Sequence, residues 1–313
     1  MKAAVLSSPG DLEVRDVDDA RCPEGGALVQ VEACAICPSD IKMFRMGHRD
    51  ISYPRILGHE AVGRIVEANL ENAPPIRTRV QIWPGLVCGT CLSCLGGNDN
   101  MCSSQGIFGF NRDGGFAELM AIPPESVEKG LNIVPDGVSS DVASLTEPLA
   151  CCVHAQELCR TAENDNVLII GAGSMGLLHS MLSMARGARS IVVEPMEKRR
   201  KLAGQLGADV LEPSSAVADD VLSITSGRGA DVAILATPSA DVAEVMRAMA
   251  PRGRVCVFSG LPQDAAMRPV DLIASGVIDA GRLITKKICL KQLGEGFRHV
   301  EEREGLKCVI TRT

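Results

Sequence analysis

Aromatic residues are scarce in this chain: one Trp, one Tyr and six Phe make up 3% of 313 residues. Its cores must therefore be aliphatic, and with 46% hydrophobic residues there is enough for sizeable cores in two domains. Excess positive charge is also absent. The formal net charge is −7, which argues against nucleic acid and anionic membranes as partners. No apolar run approaches the roughly 20 residues of a bilayer-spanning helix. The opening stretch MKAAVLSSPGDLEV lacks the apolar segment of a secretory signal. Internal repeats and low-complexity tracts are missing too. A cytoplasmic, reducing setting is the expectation, and it fits thirteen cysteines held as thiols.

Against these absences stands one dense cluster. Cys88, Cys91, Cys94 and Cys102 follow the spacing C-x2-C-x2-C-x7-C. Four thiolates this close can surround one tetrahedral Zn²⁺ and leave no open position, as a structural site requires. Disulfides or idle thiols are the alternatives. The scatter of the other nine cysteines and the missing signal weigh against disulfides.

Texture changes along the chain. The first ~145 residues read as short strands (KAAVL, ALVQVEAC, AVGRIVEA, RVQIWP) punctuated by PG, GG, PP and DGG turns. From about residue 140, helices and strands alternate: DVASLTEPLACCVHAQELC, NVLIIG, SMGLLHSMLSMARG, SIVVE, MEKRRKLAGQLG, DVAILAT, DVAEVMRAMA and RVCVFSG. That alternation predicts an α/β domain with a parallel sheet covered on both faces. The last ~30 residues read as a helix plus a closing strand.

The segment NVLIIGAGSMG runs from an apolar strand into G-x-G-x-x-G, with Gly171, Gly173 and Gly176 as the glycines and Ser174 and Met175 between them. It opens a helix, and Glu194 ends the next strand. Alone the pattern is weak, but this context is that of a dinucleotide turn, with pyrophosphate on the free N–H groups of the helix start. Glu194 would bond an adenosine ribose and repel a 2′-phosphate, which favours NAD. Arg199 and Arg200 pull toward NADP.

Three further pieces carry metal-ligand chemistry: CPSD with Cys37, GHE with His59 and Glu60, and TEPLA with Glu147. Cysteine, histidine and carboxylate are the ligand types of a catalytic zinc that keeps one position open. Glu60 or Glu147 completes the set, directly or through water, and Asp40 can orient His59. Singly, Cys37 reads as a small buried hydrophobe and His59 as a core histidine; the coincidence with the other motifs decides for a site. His48, His154, His179 and His299 read as structural or surface groups. Phe44, His48, Phe110 and Glu147 are candidates to line a polar substrate pocket.

These motifs, in the order MKAAVL, CPSD, GHEAVG, the four-cysteine lobe, DGGFAE, EPLA, GAGSMG and EGLKCVI, resemble the zinc-dependent medium-chain alcohol and polyol dehydrogenases over nearly the whole length. EPLA places the chain nearer the sorbitol and threonine dehydrogenase branch. The resemblance implies a GroES-like β-barrel catalytic domain, 1–147 with 282–313, and a Rossmann domain, 148–281, with the active site in the cleft between them. It implies two zinc ions, NAD, a small alcohol, polyol or amino alcohol substrate, and a homo-oligomer. It gives Ser39 the role of taking the alcohol proton and lays Arg199 against adenine. An NADP-linked reductase and a non-catalytic zinc- and nucleotide-binding protein are the competing readings. Two departures stand out. Lys42 occupies the place of a relay histidine in many relatives, and an ordinary lysine is a poor proton acceptor near neutrality. After FSGLP one Rossmann strand and its connection are missing, which is expected to alter the sheet edge through which relatives dimerise.

Overall fold

The computed structural model describes residues 1–69, 74–214, 216–259, 284–288, 295 and 307–310. The chain divides into two compact units, Met1–His154 and Ala155–Thr313.

The first unit is built from β1 (Lys2–Ser8), β2 (Asp11–Asp16), β3 (Ala27–Ala35), α1 (Pro38–Met46), β4 (Arg55–Ile56), β5 (Glu60–Ala68), β6 (Arg79–Ile82), β7 (Gly85–Leu86), α2 (Leu92–Leu95), β8 (Gly106–Ile107), β9 (Leu119–Ile122), α3 (Pro124–Gly130), β10 (Leu131–Ile133) and α4 (Ser140–Ala143). Five antiparallel strands lie in the order β10-β6-β5-β3-β9, beside a three-stranded sheet β2-β1-β4 and the small pair β7-β8. Alternate residues of these strands face one aliphatic core, which includes Val29, Ile65, Val80, Ile82 and Ile122. A second cluster, Leu6, Met43, Ile51 and Leu57, seats α1. Burying each such side chain stabilises by about 1.5–3 kcal/mol relative to exposure, and with so few aromatics these aliphatics carry most of the core.

Helix α5 (Thr146–Leu158) follows. The single long helix expected from DVASLTEPLACCVHAQELC is two, because the chain breaks at Ser144 and Leu145 between α4 and α5.

The second unit alternates β11 (Asn166–Ile170), α6 (Ser174–Ala185), β12 (Arg189–Val193), α7 (Glu197–Gln205), β13 (Asp209–Leu211), α8 (Val217–Ile224), β14 (Ala230–Leu235), α9 (Val242–Arg247) and β15 (Met249–Val257). All four pairings are parallel. The order β13-β12-β11-β14-β15 fills five places of a doubly wound Rossmann sheet. The two-residue period divides each strand between two cores. Leu168, Ile191, Val193, Ala233 and Leu235 face one; Val167, Ile169, Val192, Val232 and Ile234 face the other. The elements β13 and α8 have no counterpart in the sequence reading: Asp209–Leu211 is too short to show a period, and α8 begins on a weak Ala216 cap. The helix expected through DVAEVMRAMA ends at Arg247, and β15 begins at Met249 with a register shift opposite Ala230 and Val232.

Residues Ile284–Ile288 form β16, paired in parallel with β17 (Lys307–Ile310). The strand β16 was not expected, and its β-branched residues explain it; the closing strand is β17, and the expected helix falls largely outside the described residues. The expected lost sixth strand, the return of 282–313 to the first domain and His299 lie largely or wholly outside the described residues. Among the described residues, no helix is long and apolar enough to cross a membrane.

Candidate functional site

Cys37 stands at the N-terminal boundary of α1, with Pro38 as the first helical residue. One turn on, Asp40 Oδ2 accepts the Cys37 N–H at 2.9 Å. Its other oxygen, Oδ1, lies 3.4 Å from His59 Nδ1. That distance permits charge attraction, but neither atom makes a well-aligned hydrogen bond. His59 and Glu60 reach the same place through the sheet. Ala35, two residues before Cys37, is the register partner of Glu60 where β3 meets β5. The glycine of GHE is required: Gly58 holds φ +94°, and a Cβ there would lie 2.7 Å from the Phe116 ring. Ser39 Oγ is 3.5 Å from His59 Nε2. Phe110 stands against two rings, 5.4 Å from His59 and 5.5 Å from His48.

Cys37, His59 and Glu60 each bring one ligand atom to within 4.8 Å of the others. Glu147, in the first turn of α5, stands outside this set of three. His59, Glu60 and Asp40 are 7%, 5% and 3% exposed. Burial disfavours a charged His59 ring, but Asp40 and Cys37 outweigh it and raise the pKa to about 10. Burial raises Glu60 and Glu147. Cys151, whose thiol lies 3.7 Å from Glu147 Oε1, is pushed up to about 12 by burial and then by that carboxylate. Among the described residues no Lys or Arg forms an ion pair with Asp40, Glu60 or Glu147. Potential anions buried together cost several kcal/mol unless paired. Thiolate, imidazole and carboxylate within ligand distance of one another fit a zinc ion.

The four lobe cysteines form the second set, again within 4.8 Å of one another. Cys91 and Cys94 sulfurs are 3.5 Å apart, and Cys102 and Cys88 sulfurs 3.6 Å. Cys91 and Cys88 donate their own N–H groups to the Cys88 and Cys102 sulfurs, at 3.3 and 3.4 Å. Backbone N–H groups of Cys94 and Ser103 pull Cys91 down to about 6, while lost hydration and the Cys91 sulfur push Cys94 up to about 12. Four sulfurs this close compete for ionisation, and a cation relieves that competition.

In the second unit, Gly171 turns at φ +101° and a Cβ on Gly176 would overlap the Gly171 carbonyl oxygen. Gly173 begins α6 with no side-chain cap and open space around it, so a phosphate can approach its N–H groups. Ser174 and Met175 are the first residues of α6. Glu194 is 3% exposed. Its Oε2 accepts from Ala172 N at 2.7 Å and its Oε1 from Met196 N at 2.9 Å. Arg200 is already engaged, by the Glu194 carbonyl at 2.8 Å and by Glu212 at 3.4 Å. Arg199 is exposed on α7. The sequence reading passed over Thr237, which packs 3.2 Å from a Cβ position on Gly171 and shares a hydroxyl contact with Ser239 at 3.0 Å. Its signal was available: it follows the strand next to β11, at the carboxyl edge where such sheets bind ligands.

Residues 23–135 match the alcohol dehydrogenase GroES-like domain and residues 174–299 the zinc-binding dehydrogenase family. The chain belongs to the zinc-dependent medium-chain alcohol dehydrogenase family and is an oxidoreductase of that family. It is similar to L-threonine 3-dehydrogenase of Pyrococcus horikoshii, 33% identical with 84% of this chain and 76% of that one covered. It is also similar to L-galactonate-5-dehydrogenase of Escherichia coli, 28% identical over 347 positions covering 99% of both. Those positions outnumber the residues of this chain, so it is the shorter of the two. Among solved structures, a zinc-binding dehydrogenase of Sinorhizobium meliloti bound to NADP superposes with a TM-score of 0.77, at 29% identity and 99% coverage of each chain.

Proposed function

We propose that this chain oxidises a secondary alcohol, polyol or amino alcohol with NAD, using one catalytic and one structural zinc ion. The observation that carries the reading is the Cys37–His59–Glu60 set, a half-buried thiol, a buried imidazole and a buried carboxylate within 4.8 Å of one another. In this reading those three hold the catalytic zinc, with Glu147 as the reserve carboxylate, and Cys88, Cys91, Cys94 and Cys102 hold the structural one. When bound, zinc would supply Lewis acidity to a substrate hydroxyl and the nicotinamide cofactor would supply the hydride acceptor. Asp40 fixes the geometry, since one carboxylate touches both the Cys37 backbone and the His59 ring. Ser39, beside His59, takes the alcohol proton. Lys42 is exposed, and Ser39 would release the proton to water or, with the cofactor bound, to a hydroxyl that its ribose would supply. Phe110 excludes water on one side of His59, and His48 offers a polar group beyond it.

Glu194 supports NAD: its carboxylate is fixed at the end of β12 and opposes a 2′-phosphate, and Arg200 is already bonded elsewhere. The NADP in the S. meliloti structure and the exposed Arg199 favour the second reading, an NADP-linked reductase. Purified protein is assayed with NAD and NADP against a panel of secondary alcohols, polyols and amino alcohols, with zinc counted by elemental analysis. Reduced-nicotinamide absorbance with NAD and two zinc ions per chain are expected; no turnover on the whole panel at full zinc loading rejects the reading. Glu194→Ser is expected to move cofactor preference toward NADP by about 1–3 kcal/mol, the scale of a lost charge-assisted hydrogen bond. A wild-type kcat/KM already higher with NADP overturns the assignment.

A further inference from the structure

Away from both metal sets, two cysteines of the second unit meet beneath an arginine. Cys159 follows the last residue of α5, its N–H bonded to the Ala155 carbonyl at 3.0 Å. The chain leaves the helix through Arg160, at φ +51°. Cys256 lies on β15, opposite Ile234 of β14. The strand period puts Arg254 and Cys256 on one face of β15. Arg254 locks the two segments together. Its Nη1 donates to the Arg160 carbonyl at 2.8 Å and its Nη2 to Asp165 Oδ2 at 2.9 Å. Cys159 is buried with Val232 and Ile234, Cys256 packs against the same cluster, and the two side chains hydrogen-bond to each other. Arg254 is 36% exposed, so solvent reaches the rim of this arrangement.

We propose that Cys159 and Cys256 are a hydroperoxide-sensitive thiol pair that closes reversibly to a disulfide, tying the end of α5 to β15. The hydrogen bond from Cys256, opposed by burial and aided by Arg254, lowers the Cys159 pKa to about 7, so a large fraction is thiolate near neutrality. The Cys159 thiolate attacks one peroxide oxygen, the O–O bond breaks, and hydroxide leaves; Cys159 becomes a sulfenic acid. The Cys256 sulfur then attacks the Cys159 sulfur and water leaves, carrying the Cys256 proton and the sulfenic oxygen. Each sulfur loses one electron and the two peroxide oxygens gain them. A thiol reductant reverses the bond by exchange.

The test uses the full zinc-loaded chain. Reduced protein is treated with hydrogen peroxide at low excess, alkylated, digested and mapped by mass spectrometry. The expected product joins the Cys159 and Cys256 peptides, lighter by two hydrogens, and disappears on reduction. In Cys256→Ser the sulfenic acid has no partner, so dimedone is expected to label Cys159 at least about tenfold more than in wild type. Cys159→Ser is expected to give neither product. Wild-type peroxide treatment that leaves Cys159 and Cys256 alkylatable while other cysteines oxidise overturns the proposal, and that arm needs no variant to fold. Equal dimedone labelling of Cys159 in wild type and Cys256→Ser overturns it as well.

Discussion

The two candidate metal sets are built in opposite ways. The four-cysteine lobe is local: its donors fall within fifteen residues, its helix α2 has four residues, and Leu92, Leu95 and Met101 point outward at 90%, 72% and 68% exposure. Short-range backbone hydrogen bonds and the sulfurs hold it, with no apolar core of its own among the described residues. The Cys37–His59–Glu60 set is assembled from a helix start and a strand start, brought together by the β3–β5 register and underlaid by Met43 and Leu57. Under the proposed two-zinc reading, the lobe's metal would serve its shape and the metal of the Cys37–His59–Glu60 set would serve its charge. Metal loss would then be a folding event in one place and an electrostatic event in the other.

The sharpest break in this contrast is His59→Ala. It is expected to lower kcat/KM at least about a thousandfold, roughly 4 kcal/mol, and to remove one zinc while leaving the fold intact; steady-state kinetics with elemental analysis and circular dichroism measures all three. Cys91→Ser is expected to show the converse. One zinc is lost, the first unit is destabilised by about 2–5 kcal/mol, and residual folded enzyme turns over within severalfold of wild type. A variant of either kind that lost both metals would erase the distinction. Asp40→Asn tests positioning. The amide keeps the size but loses the charge beside His59, and a drop of about 10–100-fold in zinc affinity is expected by metal-buffered titration, with the far-ultraviolet spectrum intact.

A second buried histidine serves as the control. His179 on α6 is fully buried, and burial alone lowers its pKa to about 4. Gln156 Nε2 lies 3.3 Å from its Nδ1, and Phe258 meets its ring edge-on at 4.5 Å. Its folded pKa lies below the unfolded value, so its contribution is fully present above pH 6.5 and is lost as pH falls toward 4. At pH 5 the loss amounts to about 2 kcal/mol. Denaturant titrations of wild type and His179→Gln at pH 7.5 and pH 5 are expected to show a pH penalty in wild type that the variant lacks. An equal penalty in both would assign the acid sensitivity to carboxylates instead.

Legibility followed the same division. The lobe and the glycine turn could be read because their donors and glycines are neighbours in sequence, and a spacing is itself a geometry. The strands β11, β12 and β14 could be read because both faces are buried and each is a short aliphatic run. That Glu60 rather than Glu147 lies within 4.8 Å of Cys37 and His59 could not be read, because it depends on the register that sets Ala35 opposite Glu60, a long-range pairing no local pattern encodes. Nor could the Cys159–Cys256 contact, which joins residues 97 positions apart through the fold. The short elements β13 and α8 escaped because three residues of strand and a weak cap leave little periodic signal.

Glu194 carries a consequence for redesign. Its two oxygens accept from Ala172 on one side and Met196 on the other, so the carboxylate pins the glycine-rich turn to the segment after β12 before any nucleotide arrives. Ordering a loop on binding is an entropic cost, and here the carboxylate has removed that cost in advance. Under the proposed NAD reading, the residue that would discriminate between cofactors would also be the one that prepares the receptor for either. Exchanging it shifts the ratio between the two nucleotides but slackens the turn that receives both, so affinity falls for each even as preference moves. Arg199, exposed on α7 and outside that clamp, is the position from which selectivity can be tuned without loosening the turn.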